Sequence, residues 1–213
     1  MGPPLDEHRE PVILGHRARP ASAPRSALAR ARRTIDPDNL GLLEVLSNGR
    51  RRLRPAVHAD VAVIASTMRP ADVAEIKGLD GGTPSGALYR GFSTSLEPMT
   101  VELDGQPVAM YGAVAQAVPD APFGVVWMLG AEGVAADARW FLVASRAALT
   151  DIARPFEMVG CLVDERYERS LRWLVNLGFY GPDGGVQLGY AGLRYRWLLW
   201  QQPTGNASSG GVE

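Results

Sequence analysis

The side chains in this sequence whose type bears most directly on chemistry are one cysteine, three histidines and a set of clustered arginines. Cys161 sits inside the apolar run Val159-Gly160-Cys161-Leu162-Val163. A nucleophilic thiol needs a neighbouring base to lower its pKa, and no histidine is near in sequence, so Cys161 reads as a core residue. A single cysteine also excludes an intramolecular disulfide and a cysteine-based zinc site. His8, His16 and His58 all fall within the first 58 residues, which excludes a His-rich metal centre or a histidine-dependent triad in the body of the chain. No metal is expected.

The arginines divide the chain by charge. Residues 1–54 hold eleven arginines and no lysine against six acids, a surplus of five positive charges. The remainder holds eleven basic against seventeen acidic residues, a deficit of six. This pattern describes a basic arm on a mildly acidic domain. Arg25, Arg30, Arg32, Arg33, Arg50, Arg51, Arg52 and Arg54 are the candidate partner-binding residues. Three readings stay open: docking onto an acidic protein surface, which we place first, neutralising nucleic-acid phosphates, or simple solvation. The arm lacks aromatic residues, which argues against stacking on bases.

Periodicity locates the elements that must position any site. Pro3, Pro4, Pro11, Pro20 and Pro24 break the arm, leaving short helices at Ser26–Arg33 and Asp38–Leu46. After Pro55 the spacing predicts helices at Asp60–Met68, capped by its aspartate, at Asp72–Lys77 and around Ser85–Ser95. Strands Met99–Leu103 and Pro107–Val114 flank Asp104-Gly105, a strong hairpin signal. Buried strands are predicted at Phe123–Leu129 and Phe156–Val163, with helices at Asp137–Ile152 and Glu165–Leu177, the last stopped by Gly178. Val186–Leu188 and Leu193–Trp200 close the sheet; Leu198 and Trp200 fall on the arginine side of the last strand, either as core or as an exposed interface.

The order is that of an α/β (α+β) protein, a single domain with a mixed, mostly antiparallel sheet flanked by helices. We divide the chain into an arm, 1–54, a domain, 55–202, and a Gly/Ser-rich tail, 203–213. Among the 213 residues, 46% hydrophobic and 21% charged, no apolar run of 18 residues occurs, so no membrane span is expected. The acidic, non-apolar N-terminus does not read as a secretory signal.

A hairpin, a buried strand, a helix, another strand, and a helix ending in Leu177-Gly178-Phe179 together resemble the GNAT acyltransferase fold over about residues 55–200. More narrowly, several stretches look like a GNAT-related family of virion-associated proteins in short-tailed phages. These are Ala59-Asp60-Val61, Ile64-Ala65, Met68-Arg69, Asp72 with Glu75-Ile76, Asp104-Gly105-Gln106-Pro107, Met110, Trp127-Met128-Leu129-Gly130 and Leu171-Arg172-Trp173-Leu174.

The resemblance implies a site after the fourth strand, where a [Gln/Arg]-x-x-Gly-x-[Gly/Ala] loop at a helix start presents N–H groups to the pyrophosphate of acetyl-CoA. Leu129, Gly130, Gly133, Val134 and Ala135 are the matching candidates. Gly130 stands where the family has Gln or Arg, and Glu132 brings a carboxylate beside the phosphates. The family's proton-donating tyrosine falls on Leu174, leaving Tyr167 or Tyr180 as substitutes. Phe123–Leu129 holds no titratable residue, so Glu157 and Asp164 are the nearby carboxylate candidates for a general base; each also reads structurally, Glu157 as a solvated strand start and Asp164 as a helix N-cap.

The resulting expectation is a phage virion protein with a GNAT fold, made in the host cytoplasm and used in multiple copies near the portal, tail or internal proteins. Its arm would contact other virion proteins, and no cofactor would be needed. The alternative is an active acetyl-CoA-dependent N-acyltransferase acting on a phage or host protein.

Overall fold

The computed structural model of the protein describes residues 49–117, 121–134 and 138–202. The two helices expected in the arm, the tail, Ala135 and Arg25, Arg30, Arg32 and Arg33 lie outside the described residues.

The chain runs β1 (Arg51–Pro55), α1 (His58–Ser66), α2 (Pro70–Asp80), α3 (Pro84–Thr94), β2 (Met99–Leu103), β3 (Gln106–Gln116), β4 (Phe123–Gly130), α4 (Ala138–Ala153), β5 (Met158–Asp164), α5 (Glu168–Asn176), β6 (Val186–Leu188) and β7 (Leu193–Trp200). The sheet order is β1-β2-β3-β4-β5-β7-β6. Only β4 and β5 pair in parallel, as expected of two strands joined through a helix; the other pairs are antiparallel.

Each face of the sheet has its own core. Val61, Ile64, Ile76 and Leu88 of α1–α3, with Met68 of the α1–α2 link, cover Met110, Trp127 and Leu129 on one face. On the other, Leu149, Ala153, Leu174 and Leu177 of α4 and α5 meet Ala113, Val126, Val159, Cys161 and Val163. Leu198 and Trp200 are buried on that second face, and the Trp200 indole donates to Leu177 O at 3.1 Å, so the exposed-interface alternative for them is set aside. Asp104 and Gly105 both adopt positive φ, the conformation a two-residue hairpin turn requires. Gly178 (φ 95°) closes α5: the Phe179 N–H reaches Leu174 O at 3.0 Å and the Gly178 N–H reaches Val175 O at 2.9 Å, while Leu174 and Phe179 bury together.

Two expectations change. The sheet starts at Arg51, inside the stretch the composition break assigned to the arm, because β1 pairs with β2 along its whole length. Asp60 is not the cap of α1 but its third residue, and it accepts the Val57 N–H at 3.0 Å from within the helix.

Candidate functional site

The central pair of strands comes apart. β4 and β5 are paired only from Phe123–Val125 against Met158–Gly160, and beyond these residues no partner joins them. A wedge therefore opens toward the C-terminal ends of both strands. A groove of about 1450 Å³ runs through it, walled by α2 and α3 on one face and by α4 and α5 on the other.

Helix α2 crosses the wedge on one face and ties its two sides. Asp72 Oδ2 accepts the Gly130 N–H at the end of β4, at 2.9 Å, and Glu75 Oε1 accepts the Asp164 N–H at the end of β5, at 3.1 Å. The two acids stand one helical turn apart, so both point at the sheet. Tyr167 Oη donates to Ala71 O at 2.7 Å and Tyr195 Oη to Glu75 O at 3.3 Å, holding the helix down. Gly78 allows that approach, since a Cβ there would lie 2.5 Å from Leu193 Cδ1.

The two carboxylates differ in their company. Asp72 is buried and gripped by the Arg69 guanidinium through Nε at 3.1 Å and Nη2 at 2.7 Å. Glu75 is half-buried, and no basic side chain lies within ion-pair distance of it among the described residues. Burial pushes its pKa up to about 7; the Asp164 N–H and, less, the Arg69 charge oppose this, and the like charges of Asp72 and Asp164 reinforce it. A carboxyl balanced between its two forms near neutral pH, in a groove, can take and return protons. Sequence reasoning missed this role, although an acid on the apolar stripe Asp72, Glu75, Ile76, Leu79 was a readable signal.

The residues expected from the sequence fare differently. Glu157 is exposed at the closed end of the wedge, its N–H bonded to Pro122 O, and does not line the groove. Asp164 is fully buried: burial opposes its charge, but the guanidinium and N–H of Arg166 hold its carboxyl below the usual range. It is not the N-cap of α5, which is Tyr167. Tyr167 lines the groove, but its hydroxyl proton is committed to Ala71, and burial raises its pKa. Tyr180 is exposed and lies outside the groove lining. Leu174 is in the core. Burial pushes the Cys161 thiol up to about 12, as suits an inert core cysteine.

The loop after β4 is partly occupied by the protein itself. The Gly130 N–H goes to Asp72 and the Ala131 N–H to Val108 O at 2.7 Å. A Cβ at residue 130 would press on Ala109 Cβ at 3.0 Å and Val108 O at 3.1 Å, so glycine there answers to strand β3. Leu129, Gly133 and Val134 line the groove, Gly133 with φ 87° and open space around it and Val134 also packed in the core with Tyr111 and Ala148. The Gly130 N–H, one of those the resemblance assigned to the pyrophosphate of acetyl-CoA, thus already has a partner.

Of the described arginines, Arg54 turns inward. Its guanidinium bonds Asp60 (2.7 and 2.8 Å) and Glu102 (2.6 Å), and Thr100 completes the cluster on Asp60 at 2.7 Å, so it is not a partner-facing residue. Arg50 pairs with Asp104 on the surface, Arg51 lies over the Trp140 ring at 5.0 Å, and Arg52 is exposed.

This arrangement is the GNAT fold. The chain is similar to an N-acetyltransferase from Staphylococcus aureus Mu50 (TM-score 0.55, 12% identity, 73% of this chain and 99% of that one). A spermidine N-acetyltransferase from Vibrio cholerae, solved with CoA and spermine, matches with a TM-score of 0.54 at 10% identity, over 73% of this chain and 97% of that one. A ribosomal-protein-S5-alanine acetyltransferase from Vibrio fischeri matches at 0.53 and 13%, over 74% and 96%. No family model and no curated protein matches the chain. At these identities the likeness establishes the fold alone.

Proposed function

We propose that the protein is an acetyl-CoA-dependent N-acyltransferase in which Glu75 is the general base. The observation that carries this reading is a carboxyl with a pKa of about 7 placed at the mouth of the β4–β5 wedge. Acyl-CoA supplies an acyl carbon on a sulfur leaving group. Glu75 takes one proton from the acceptor ammonium and later returns it to water in the open groove; the freed nitrogen forms the C–N bond as the C–S bond breaks, and the second proton the nitrogen sheds goes, directly or through water, to the departing thiolate, giving amide and free thiol. Asp72 and Arg69 hold the end of β4 in place, and Tyr167 and Tyr195 hold α2 at the height from which Glu75 reaches the site. Support also comes from the fold neighbours, one of which is a CoA complex.

The test is release of free thiol from acetyl-CoA with a panel of amines, comparing the protein with Glu75→Gln. Amine-dependent thiol release that the variant loses supports the reading; none with any acceptor overturns it.

A second reading is a virion-associated phage protein that keeps the fold without turnover, its arm docked on other virion proteins. It is favoured by the capture of the Gly130 and Ala131 N–H groups and by Leu174 in the core. Absence of both acetyl-CoA binding and thiol release, together with recovery of the protein in particles, would favour it.

A further inference from the structure

On the face of the wedge covered by α2 and α3, the groove has a lining of its own. Glu75, Ile76, Leu79 and Asp80 from α2 and Ala87, Arg90, Gly91 and Thr94 from α3 contribute two facing helical stripes. Trp127 of β4 forms the floor: its indole lies against Gly91, where a Cβ would come within 2.4 Å of the ring, and its N–H is fixed to Ser95 Oγ at 2.8 Å. Three acids line this side, and two of them are already neutralised. Asp72 is paired with Arg69, and Asp80 is paired with Arg90 across the two helices. Glu75 alone makes no ion pair among the described residues, the Arg69 guanidinium acting on it only at longer range. The Asp80–Arg90 pair joins α2 to α3 five residues beyond Glu75, about 7–8 Å along the helix axis.

We infer that this channel selects a compact primary monoamine with an uncharged, apolar body, an inference that rests on Glu75 being the base of the acyl transfer. The ammonium docks on the one unpaired carboxylate of this side, and the body lies on Trp127 between Ile76, Leu79 and Ala87. On the α2–α3 side a second ammonium finds no free carboxylate, the groove's other unpaired acid, Glu132, lying apart on the loop after β4, so a polyamine gains nothing from its extra charges. A longer peptide chain meets the ion pair that closes α2 onto α3 and can pass only by breaking it.

The experiment compares 2-phenylethylamine, spermidine and a short peptide with a free N-terminus, first as acceptors with acetyl-CoA and then as ligands by calorimetric titration without it. The expected result is a kcat/KM for 2-phenylethylamine roughly tenfold or more above the other two, with binding that Glu75→Gln loses. Leu79→Glu, which adds a second carboxylate to the channel, should shift the preference toward 1,4-diaminobutane by roughly tenfold. A wild-type preference for spermidine or the peptide, with turnover still lost in Glu75→Gln, would overturn the monoamine channel and leave the acyl transfer standing. If no amine is turned over, the acyl transfer fails, and the titration decides the channel: Glu75-dependent binding of 2-phenylethylamine alone upholds it, and no binding, or equal binding of all three, overturns it.

Discussion

The carboxylate of Glu75 accepts a hydrogen bond from the backbone N–H of Asp164 at 3.1 Å, joining residues 89 apart in sequence. One turn earlier on the same helix, Asp72 makes the equivalent bond to Gly130. Where β4 and β5 part, each strand leaves an N–H that its neighbour would have satisfied, and unpaired buried donors are costly. Helix α2 supplies both acceptors, so the wedge stays open without orphaned backbone. Only one of the two acids is neutralised by an arginine, and the other keeps a proton affinity suited to neutral pH.

Replacing Glu75 by Gln should lower kcat/KM for acyl transfer by roughly 10²–10⁴-fold, the range general-base catalysis supplies. In the unmodified protein kcat/KM should rise with pH and level off above about 7, since the base acts deprotonated. The variant should lose that inflection. A pH–rate profile of both proteins checks it.

Stability should carry the same signature with the opposite sense. Because the Glu75 pKa is raised from 4.5 to about 7 in the folded state, its contribution is fully present below pH 4.5 and is lost as pH climbs through 7. Relative to Glu75→Gln, the unmodified protein should lose on the order of 1–3 kcal/mol across that window, measurable by urea unfolding at several pH values.

Asp72→Ala should destabilise the fold by about 3 kcal/mol, because it leaves the Arg69 guanidinium and the buried Gly130 N–H without their partner. Chemical denaturation gives the number. Asp72→Asn, which keeps an oxygen for Gly130, should cost less.

Most of the scaffold was legible from periodicity and turn chemistry. Met99–Leu103, Val186–Leu188 and Leu193–Trp200 are read at their observed bounds, and Asp104-Gly105 announces its hairpin. β1 was not, since Arg51-Arg52-Leu53-Arg54 reads as a charged linker until Asp60 and Glu102, brought by α1 and β2, neutralise Arg54. The site was harder. Glu75 owes its proton affinity to burial and to acids at 72 and 164, and only the second half of the chain brings residue 164 there. Glu157 and Asp164 looked equivalent on either side of one strand, yet one lies at the closed end of the wedge and the other is locked to Arg166.

Arg54→Ala should cost about 3 kcal/mol, because it strands Asp60, whereas Arg52→Ala, on the same face of the strand but exposed, should stay within about 0.5 kcal/mol. Thermal melts of the two variants separate a paired, half-buried arginine from an exposed one.

Deleting residues 1–49 should leave a cooperative melt, since among the described residues the sheet begins at Arg51. Extending the deletion through residue 56 removes β1 and the Arg54 partner of Asp60, and should broaden or lower the transition. Scanning calorimetry of both truncations checks where the folded unit starts.

Among the described strands β1 enters the sheet through β2, whose residues lie 44 to 52 positions later: Pro55 faces Met99 and Arg51 faces Leu103. That pairing closes a long loop and can form only after α1, α2, α3 and β2 have been made. In synthesis β1 is therefore the first of these strands to be made and must wait about fifty residues for its place in the sheet.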